Sequence, residues 1–241
     1  MLIETNMPSN GCGLELACIW QGQSASNMNN QLDRAHHTFF CLAAFVCWYV
    51  LSYAALLIPG YSSLYQSGLA VVVMHLCLLL PCALIFWHQY SKRYFFLPLG
   101  RLAWRDLPMP ILALFGLVVV HALFGRAEPW IGELPAYSPM VKVALAITFV
   151  VLAPINEEII FRGLLLNASI GWGPHAKTAG IVSTSLIFSL IHSQYVMPTT
   201  FVWLFIFSAM LCVVRIHTRG LIVPIILHGM FNGLSAAATL L

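Results

Sequence analysis

The stretch that decides the fold lies in the second half of the chain, where residues 139–166 read PMVKVALAITFVVLAPINEEIIFRGLLL. A run of about 20 apolar residues is long enough to cross the hydrocarbon core of a bilayer as a helix. Near its end this run contains two adjacent carboxylates and an arginine, at Glu157, Glu158 and Arg162. The stretch therefore predicts a membrane helix with charges that need either a partner or a function.

The rest of the chain shares this apolar character. Of its 241 residues, 60% are hydrophobic and 8% are Asp, Glu, Lys or Arg, whereas a soluble domain carries roughly 25% charged residues. This composition excludes a soluble enzyme and a disordered chain, and a formal charge of +3 does not predict a nucleic-acid partner. The apolar runs are too long and continuous for a β-barrel. We predict an all-α, polytopic transmembrane helical bundle.

Seven apolar runs are candidate spans. They lie near residues 38–58, 66–87, 107–124, 139–161, 178–196, 198–215 and 220–241. Residues 1–35 are polar and predict a flexible N-terminal tail. Residues 36–139 predict a set of N-terminal membrane helices, and residues 140–241 form a C-terminal membrane region that contains the charged stretch.

The basic residues predict the orientation of these spans, because cytoplasmic loops are enriched in Lys and Arg. With the N-terminus inside and the C-terminus outside, nine of the eleven Lys and Arg residues lie on the cytoplasmic side. Only Arg126 and Lys142 then lie outside, and the opposite orientation would invert the ratio. We therefore expect a multi-pass integral protein with about seven spans, N-in and C-out, in a bacterial inner (plasma) membrane.

The charges of the fourth span allow two interpretations. On a helix, Glu158 and Arg162 are four residues apart and share a face, so they can form an ion pair. Glu157 points about 100° away and would be free for chemistry. Alternatively, the helix ends here and all three charges lie in the headgroup region.

Polar residues in two later spans favour the functional interpretation. His192 ends the apolar run of the fifth span, whereas His228 and Asn232 are four residues apart in the seventh and share one helical face. Gly229 and Gly233 form a G-x-x-x-G pattern, which lets a neighbouring helix approach closely. His75 and His121 have no polar neighbour at helical spacing, and we interpret both as structural.

These elements resemble the CAAX-protease and bacteriocin-processing proteins, also called the Abi or CPBP family of glutamic-type intramembrane proteases. That family is marked by E-E-x-x-x-R, F-x-x-x-H and H-x-x-x-N/D. Here the three motifs are Glu157-Glu158 with Arg162, Phe188 with His192, and His228 with Asn232. The resemblance covers about residues 140–235, which makes residues 140–241 a protease core.

The resemblance implies an intramembrane endopeptidase with Glu157, His192, His228 and Asn232 as catalytic residues. Glu157 and His192 would activate a water, whereas His228 and Asn232 would stabilise the oxyanion. Glu158, Arg162 and Phe188 would support the site. Such a site requires Glu157 to reach the depth of His192. Either a continuation of the fourth helix through Leu164–Leu166 towards Ile170 together with a tilt, or other span boundaries than those given above, would bring this about.

Three points stay open at this stage. No cofactor is favoured, but a zinc metalloprotease using Glu157, Glu158, His192 and His228 is an alternative, because carboxylate and imidazole groups suit zinc. A non-catalytic scaffold or transporter is a second alternative, since intramembrane Glu and His also relay protons. The expected partners are membrane lipid and a membrane-associated protein or peptide substrate of unknown identity.

Overall fold

The fold is a helical bundle, described by a computed structural model for residues 31–57, 59–94, 99–125, 128–129 and 137–240. Over these residues all regular elements are helical. The main helices are α1 (Gln31–Ala54), α2 (Tyr61–Gln66), α3 (Ala70–Tyr94), α4 (Pro108–Phe124), α5 (Pro139–Ser169), α6 (Ala176–Leu190), α7 (Pro198–Thr218) and α8 (Ile222–Leu240). The predicted all-α polytopic bundle is confirmed.

Each predicted span corresponds to one helix. Five helices (α1, α3, α4, α5 and α7) are long and apolar enough to cross a membrane, and α6 and α8 are shorter apolar helices. Helix α1 begins at Gln31, so the last five residues of the predicted tail belong to this helix. Residues 1–30, the rest of that tail, lie outside the described residues. The N-in, C-out orientation stays a prediction.

Local sequence explains where several helices begin and end. Pro108, Pro139 and Pro198 each occupy the first turn of a helix, where the missing N–H costs nothing. The Ser138 hydroxyl accepts from the backbone N–H of Val141 at the start of α5. At the end of α7, Arg219 adopts a left-handed conformation (φ 54°), which turns the chain into α8.

Helix α5 lies at the centre of the bundle and positions the motif. Its second half is buried without interruption from Ile159 to Ala168, where α1, α3 and α6 pack against it. Large apolar side chains on the outer helices are exposed instead, for example Phe39 on α1 and Leu123 on α4. This is the distribution expected when the outer faces contact lipid.

Three segments of the long helices form wide π-helical turns, namely Met74–Leu79 in α3 and both Thr148–Leu152 and Ile159–Leu165 in α5. Such turns are rare and are frequently found at functional sites. The two in α5 flank the segment that carries Glu157 and Glu158. The geometry of α5 therefore departs from a regular helix on either side of the motif.

Two predicted boundaries are corrected. Helix α5 does not end near residue 161 but continues to Ser169, because the apolar run Leu164–Leu166 extends it. Of the alternatives left open, the continuation of the helix is present, and it places Glu157 about 18 Å from the end of α5 at a rise of 1.5 Å per residue. Helix α6 ends at Leu190 rather than 196, so His192 lies in the turn that follows. That turn is extended before Pro198, since proline disfavours helix in the residue before it.

Candidate active site

The ion pair predicted within α5 is present and completely buried. Arg162 Nη1 donates to Glu158 Oε1 at 2.7 Å, and both side chains are fully removed from solvent. Arg162 Nη2 donates to Ser208 Oγ at 2.9 Å, and its guanidinium carbon lies 4.6 Å from the ring centre of Phe188. Because α5 continues for another two turns beyond this pair, the alternative of a helix end in the headgroup region does not describe the structure.

Glu158 also fixes His228. His228 Nδ1 donates to Glu158 Oε1 at 2.7 Å, so one carboxylate oxygen receives both a guanidinium and an imidazole. His228 therefore presents Nε2 on its other side, and this atom lies 3.8 Å from Glu157 Oε2. That distance is too long for a direct hydrogen bond. Glu158 has a structural role that links α5 to α8.

Glu157 differs from Glu158 in the way the sequence predicts. Its Oε2 atom is buried without a hydrogen-bond partner, and its side chain keeps 12% of its surface exposed. The two adjacent carboxylates thus have different environments: Glu158 is anchored by Arg162 and His228 at 2.7 Å, whereas Glu157 has only the longer 3.8 Å contact with His228. A carboxylate that is neither tightly paired nor fully buried is suited to act as a base.

His192 is oriented by the last turn of α6, the helix that precedes it. Its Nδ1 donates to the carbonyl oxygen of Phe188 at 2.6 Å, because a carbonyl can only accept. A neutral His192 then carries its lone pair on Nε2, the atom that could take a proton from water. The ring lies 4.6 Å from that of Phe188, and Phe188 also contacts His228 at 6.0 Å between ring centres.

Asn232 and Gly229 tie α8 to the first wide turn of α5. Asn232 Nδ2 donates to the carbonyl oxygen of Phe149 at 2.9 Å. A Cβ atom at Gly229 would lie 2.7 Å from the Val150 carbonyl oxygen, which is closer than real Cβ atoms approach oxygen. The predicted close approach at the G-x-x-x-G pattern is therefore present, and it brings His228 next to Glu157 and Glu158.

A polar chain that sequence reasoning missed crosses the bundle beside Glu157. The Trp48 indole N–H donates to Asn156 Oδ1 at 3.1 Å, and Asn156 Nδ2 lies 3.0 Å from His75 Nδ1. His75 has no polar neighbour at helical spacing on its own helix, but its ring bonds to Asn156 of another helix; the interpretation of His75 as structural stays a prediction. An ionisable residue inside a span was the signal that could have identified it.

Glu128, also missed, holds the turn that carries His192. Its carboxylate accepts from the backbone N–H groups of Val196 (3.0 Å) and Met197 (3.1 Å) and from the Thr200 hydroxyl (2.6 Å). Removal from water acts to raise the pKa of Glu128, but these three hydrogen bonds outweigh it and lower the pKa from its ordinary value. Through these hydrogen bonds Glu128 connects the segment after α4 with the start of α7.

The residues of the zinc alternative do not gather around one point. Over the residues that the structure describes, no group of three or more His, Cys, Asp or Glu side chains is placed to hold a metal ion. Glu158 Oε1 is already occupied by Arg162 and His228. The absence of a cofactor stays a prediction.

Comparison with known proteins supports the resemblance read from the motifs. Residues 139–234 match a family model described as type II CAAX prenyl endopeptidase Rce1-like. An uncharacterized 24.3 kDa protein from Escherichia coli is 38% identical over 108 residues, which is 44% of this chain and 50% of that protein. The chain thus matches about half the length of this curated relative. No solved structure matches.

Proposed function

We propose that this chain, whose residues 139–234 belong to the Rce1-like family of type II CAAX prenyl endopeptidases, is an intramembrane endopeptidase. Its substrate would be a membrane-associated protein or peptide. One observation carries the proposal: of two adjacent carboxylates, Glu158 is fully buried and anchored through Oε1 by Arg162 and His228, whereas Glu157 receives neither of these short contacts and keeps 12% of its side chain exposed. The site thus has a free carboxylate next to an oriented imidazole.

Hydrolysis would begin with a water held by Glu157 and His192. The Glu157 carboxylate takes one proton from the water, and the resulting hydroxide adds to the carbonyl carbon of the scissile bond. His192 Nε2 accepts the second hydrogen bond of the water, because its Nδ1 proton is engaged with Phe188. The carbon–nitrogen bond then breaks as the proton held by Glu157 passes to the leaving amine.

The oxyanion that forms in this step needs donors, and two side chains of α8 would supply them. His228 Nε2 lies on the side of the ring that faces away from Glu158, 3.8 Å from Glu157 Oε2, and an Nε2–H there would donate to the oxyanion. Asn232 has a second amide hydrogen beyond the one bound by Phe149. Two preorganised donors in a site shielded from water stabilise a developing negative charge strongly.

The proposal is tested with purified protein in detergent and an internally quenched peptide that ends in a farnesylated CAAX sequence. Glu157→Gln keeps the size of the side chain and removes the base, so we expect cleavage to be abolished while the protein stays folded. His192→Ala should have the same effect. His121→Ala is the matched control, because its ring packs on Trp203 (5.8 Å between centres), and its activity should equal that of wild type.

Wild-type cleavage retained in both Glu157→Gln and His192→Ala would refute the proposal and favour a scaffold or transporter. If the variants are inactive as expected, comparative membrane proteomics identifies the natural substrate. It is the polypeptide that accumulates uncleaved in cells with Glu157→Gln but not in cells with the wild-type protein. We expect such a substrate in the same membrane, and for this chain we propose a bacterial inner membrane.

A further inference from the structure

The segment between α6 and α7 carries His192 but has little packing of its own. Residues 191–197 form turns and extended chain rather than helix, and Ser193, Gln194 and Val196 are exposed. A segment with few buried contacts moves readily unless other groups hold it. The position of the His192 ring therefore depends on the contacts that the rest of this segment makes.

Tyr195 contacts His192 through both its backbone and its ring. Its backbone N–H donates to the carbonyl oxygen of His192 at 3.1 Å, which closes a turn. Its ring is stacked on the imidazole with 6.0 Å between centres and 19° between planes, an offset arrangement that is favourable for flat rings. Together with the hydrogen bond from Nδ1 to the Phe188 carbonyl, this stacking fixes the plane of the imidazole and hence the direction of Nε2.

Glu128 holds the chain directly after Tyr195. Its Oε2 accepts from the backbone N–H of Val196, and its Oε1 accepts from that of Met197 and from the Thr200 hydroxyl. Hydrogen bonds to an ionised carboxylate are stronger than those between neutral groups, and Glu128 is only 4% exposed. Since Glu128 comes from the segment after α4, it anchors this turn from outside the pair of helices that the turn connects.

We propose that Glu128 and Tyr195 are positioning residues for His192. Glu128 holds residues 196–197, so that Tyr195 stays against the imidazole and Nε2 keeps its direction. This inference rests on the proposed function, in which His192 Nε2 accepts a hydrogen bond from the attacking water. Glu128 lies outside the residues 139–234 that match the family, so this part of the site would be supplied by the N-terminal half of the chain.

Substitution of Glu128 tests the anchor. The amide of Glu128→Gln has one acceptor oxygen, so its NH₂ group faces either the N–H of Val196 or the donors of Met197 and Thr200. We expect kcat to fall in Glu128→Gln and to fall further in Glu128→Ala, to about 10- to 100-fold below wild type, since a small misplacement far from the chemistry has effects of this size. KM should be unchanged, because His192 holds the water rather than the substrate.

Two variants of Tyr195 test the stacking. Tyr195→Phe keeps the ring and should retain the wild-type kcat, whereas Tyr195→Leu keeps apolar bulk without a flat face and should lower kcat at constant KM. In the double variant of Glu128→Gln with Tyr195→Leu, the fall should be smaller than the product of the two single falls, because both changes act on the same imidazole. Two falls that multiply fully would overturn the inference.

Thr38→Val is the matched control for a loss of stability alone. The Thr38 hydroxyl donates to the carbonyl oxygen of Ala168 and accepts from the Trp172 indole, both at 2.8 Å, and so links α1 to the end of α5. This link lies near the start of α6, whereas His192 follows the other end of that helix, 15 residues or about 22 Å away. We expect Thr38→Val to lower Tm and to leave kcat unchanged.

A merely structural role for Glu128 would give Glu128→Gln the behaviour of this control, namely a lower Tm with wild-type kcat in the folded protein. That result would overturn the inference. If Glu128→Gln does not fold, Tyr195→Leu decides the matter, since a wild-type kcat in this variant would equally overturn it.

Glu157→Gln, assayed in parallel with the same farnesylated CAAX peptide, separates the two proposals. If Glu157→Gln is inactive and both Glu128→Gln and Tyr195→Leu have the wild-type kcat, the proposed function stands and the positioning role is refuted. If Glu157→Gln is itself active, the proposed function fails.

Discussion

Replacing Arg162 by alanine would leave the Glu158 carboxylate without its cation inside the bundle. The pair is separated by 2.7 Å with both side chains fully buried, so the surrounding solvent cannot compensate for the loss. Removing one partner of a buried ion pair costs roughly 3–5 kcal/mol. The contacts of Arg162 with Ser208 and Phe188 are lost in addition. We expect Arg162→Ala to lower the free energy of unfolding by at least this amount.

Thermal unfolding of the purified protein in detergent measures this effect. For a chain of this size, 1 kcal/mol corresponds to about 2–4 °C, so the expected fall in Tm is about 6–20 °C. Arg105 is exposed, and Arg105→Ala is the matched control, with an expected change within about 0.5 kcal/mol.

A double variant separates the loss of charge compensation from the loss of packing. In Glu158→Gln with Arg162→Met, both charges are absent, so no unpaired ion is buried. Since replacement of a whole buried pair by uncharged groups is often neutral, the double variant should be more stable than Arg162→Ala. A Tm of Arg162→Ala within 2 °C of wild type would refute the argument that this pair is desolvated.

Four further predictions concern the chemistry, the loop, the cofactor and the topology. His228→Ala and Asn232→Ala should each lower kcat about 10²- to 10³-fold with little change in KM, because an oxyanion contact forms only in the transition state; equal losses in substrate binding would contradict this role. Because the pKa of folded Glu128 is lowered, its contribution to stability is present above the ordinary value of 4.5 and is lost as the pH falls below that value. At pH 7 the free energy of unfolding of Glu128→Gln should therefore be about 1 kcal/mol below that of wild type, which lowers its Tm, and this difference should vanish in acid. A difference in Tm that stays constant across pH would refute the proposed role of the Glu128 charge. Purified protein should contain less than stoichiometric zinc by elemental analysis and stay active under chelation, whereas zinc that is lost together with activity would favour the metalloprotease. Topology reporters fused after Ser62 and after Arg93 should read as external and cytoplasmic, respectively, and the opposite result would invert the proposed orientation.

The helical spans could be predicted because they depend on composition over some 20 residues. The ends of helices were harder to place, since they depend on local interactions. Helix α6 ends at Leu190, before His192, within an apolar stretch whose hydropathy does not mark this end. Helix α5 extends through Leu164–Leu166 to Ser169, although Arg162, which is paired with Glu158, interrupts the hydropathy of the segment.

The site could be predicted only as far as its partners lie near one another in the chain. The Glu158–Arg162 pair follows from helical spacing, and the common face of His228 and Asn232 does as well. The bond between His228 and Glu158 joins residues 70 positions apart, and that between Trp48 and Asn156 joins residues 108 positions apart. Such contacts depend on how helices pack, and no local pattern in a single sequence contains this information.

The contact between α1 and α5 has a consequence for how this protein can be inherited and recombined. Trp48 and His75 lie outside the segment 139–234 that matches the family, whereas Asn156 lies within it. A gene fusion that joined this segment to unrelated membrane helices would keep every family motif and yet lose Trp48 and His75, the two partners of Asn156 from other helices. Natural exchange at such a junction would require matching changes on both sides. The first two long helices and the motif-bearing segment are therefore expected to be passed on together, as one unit of descent.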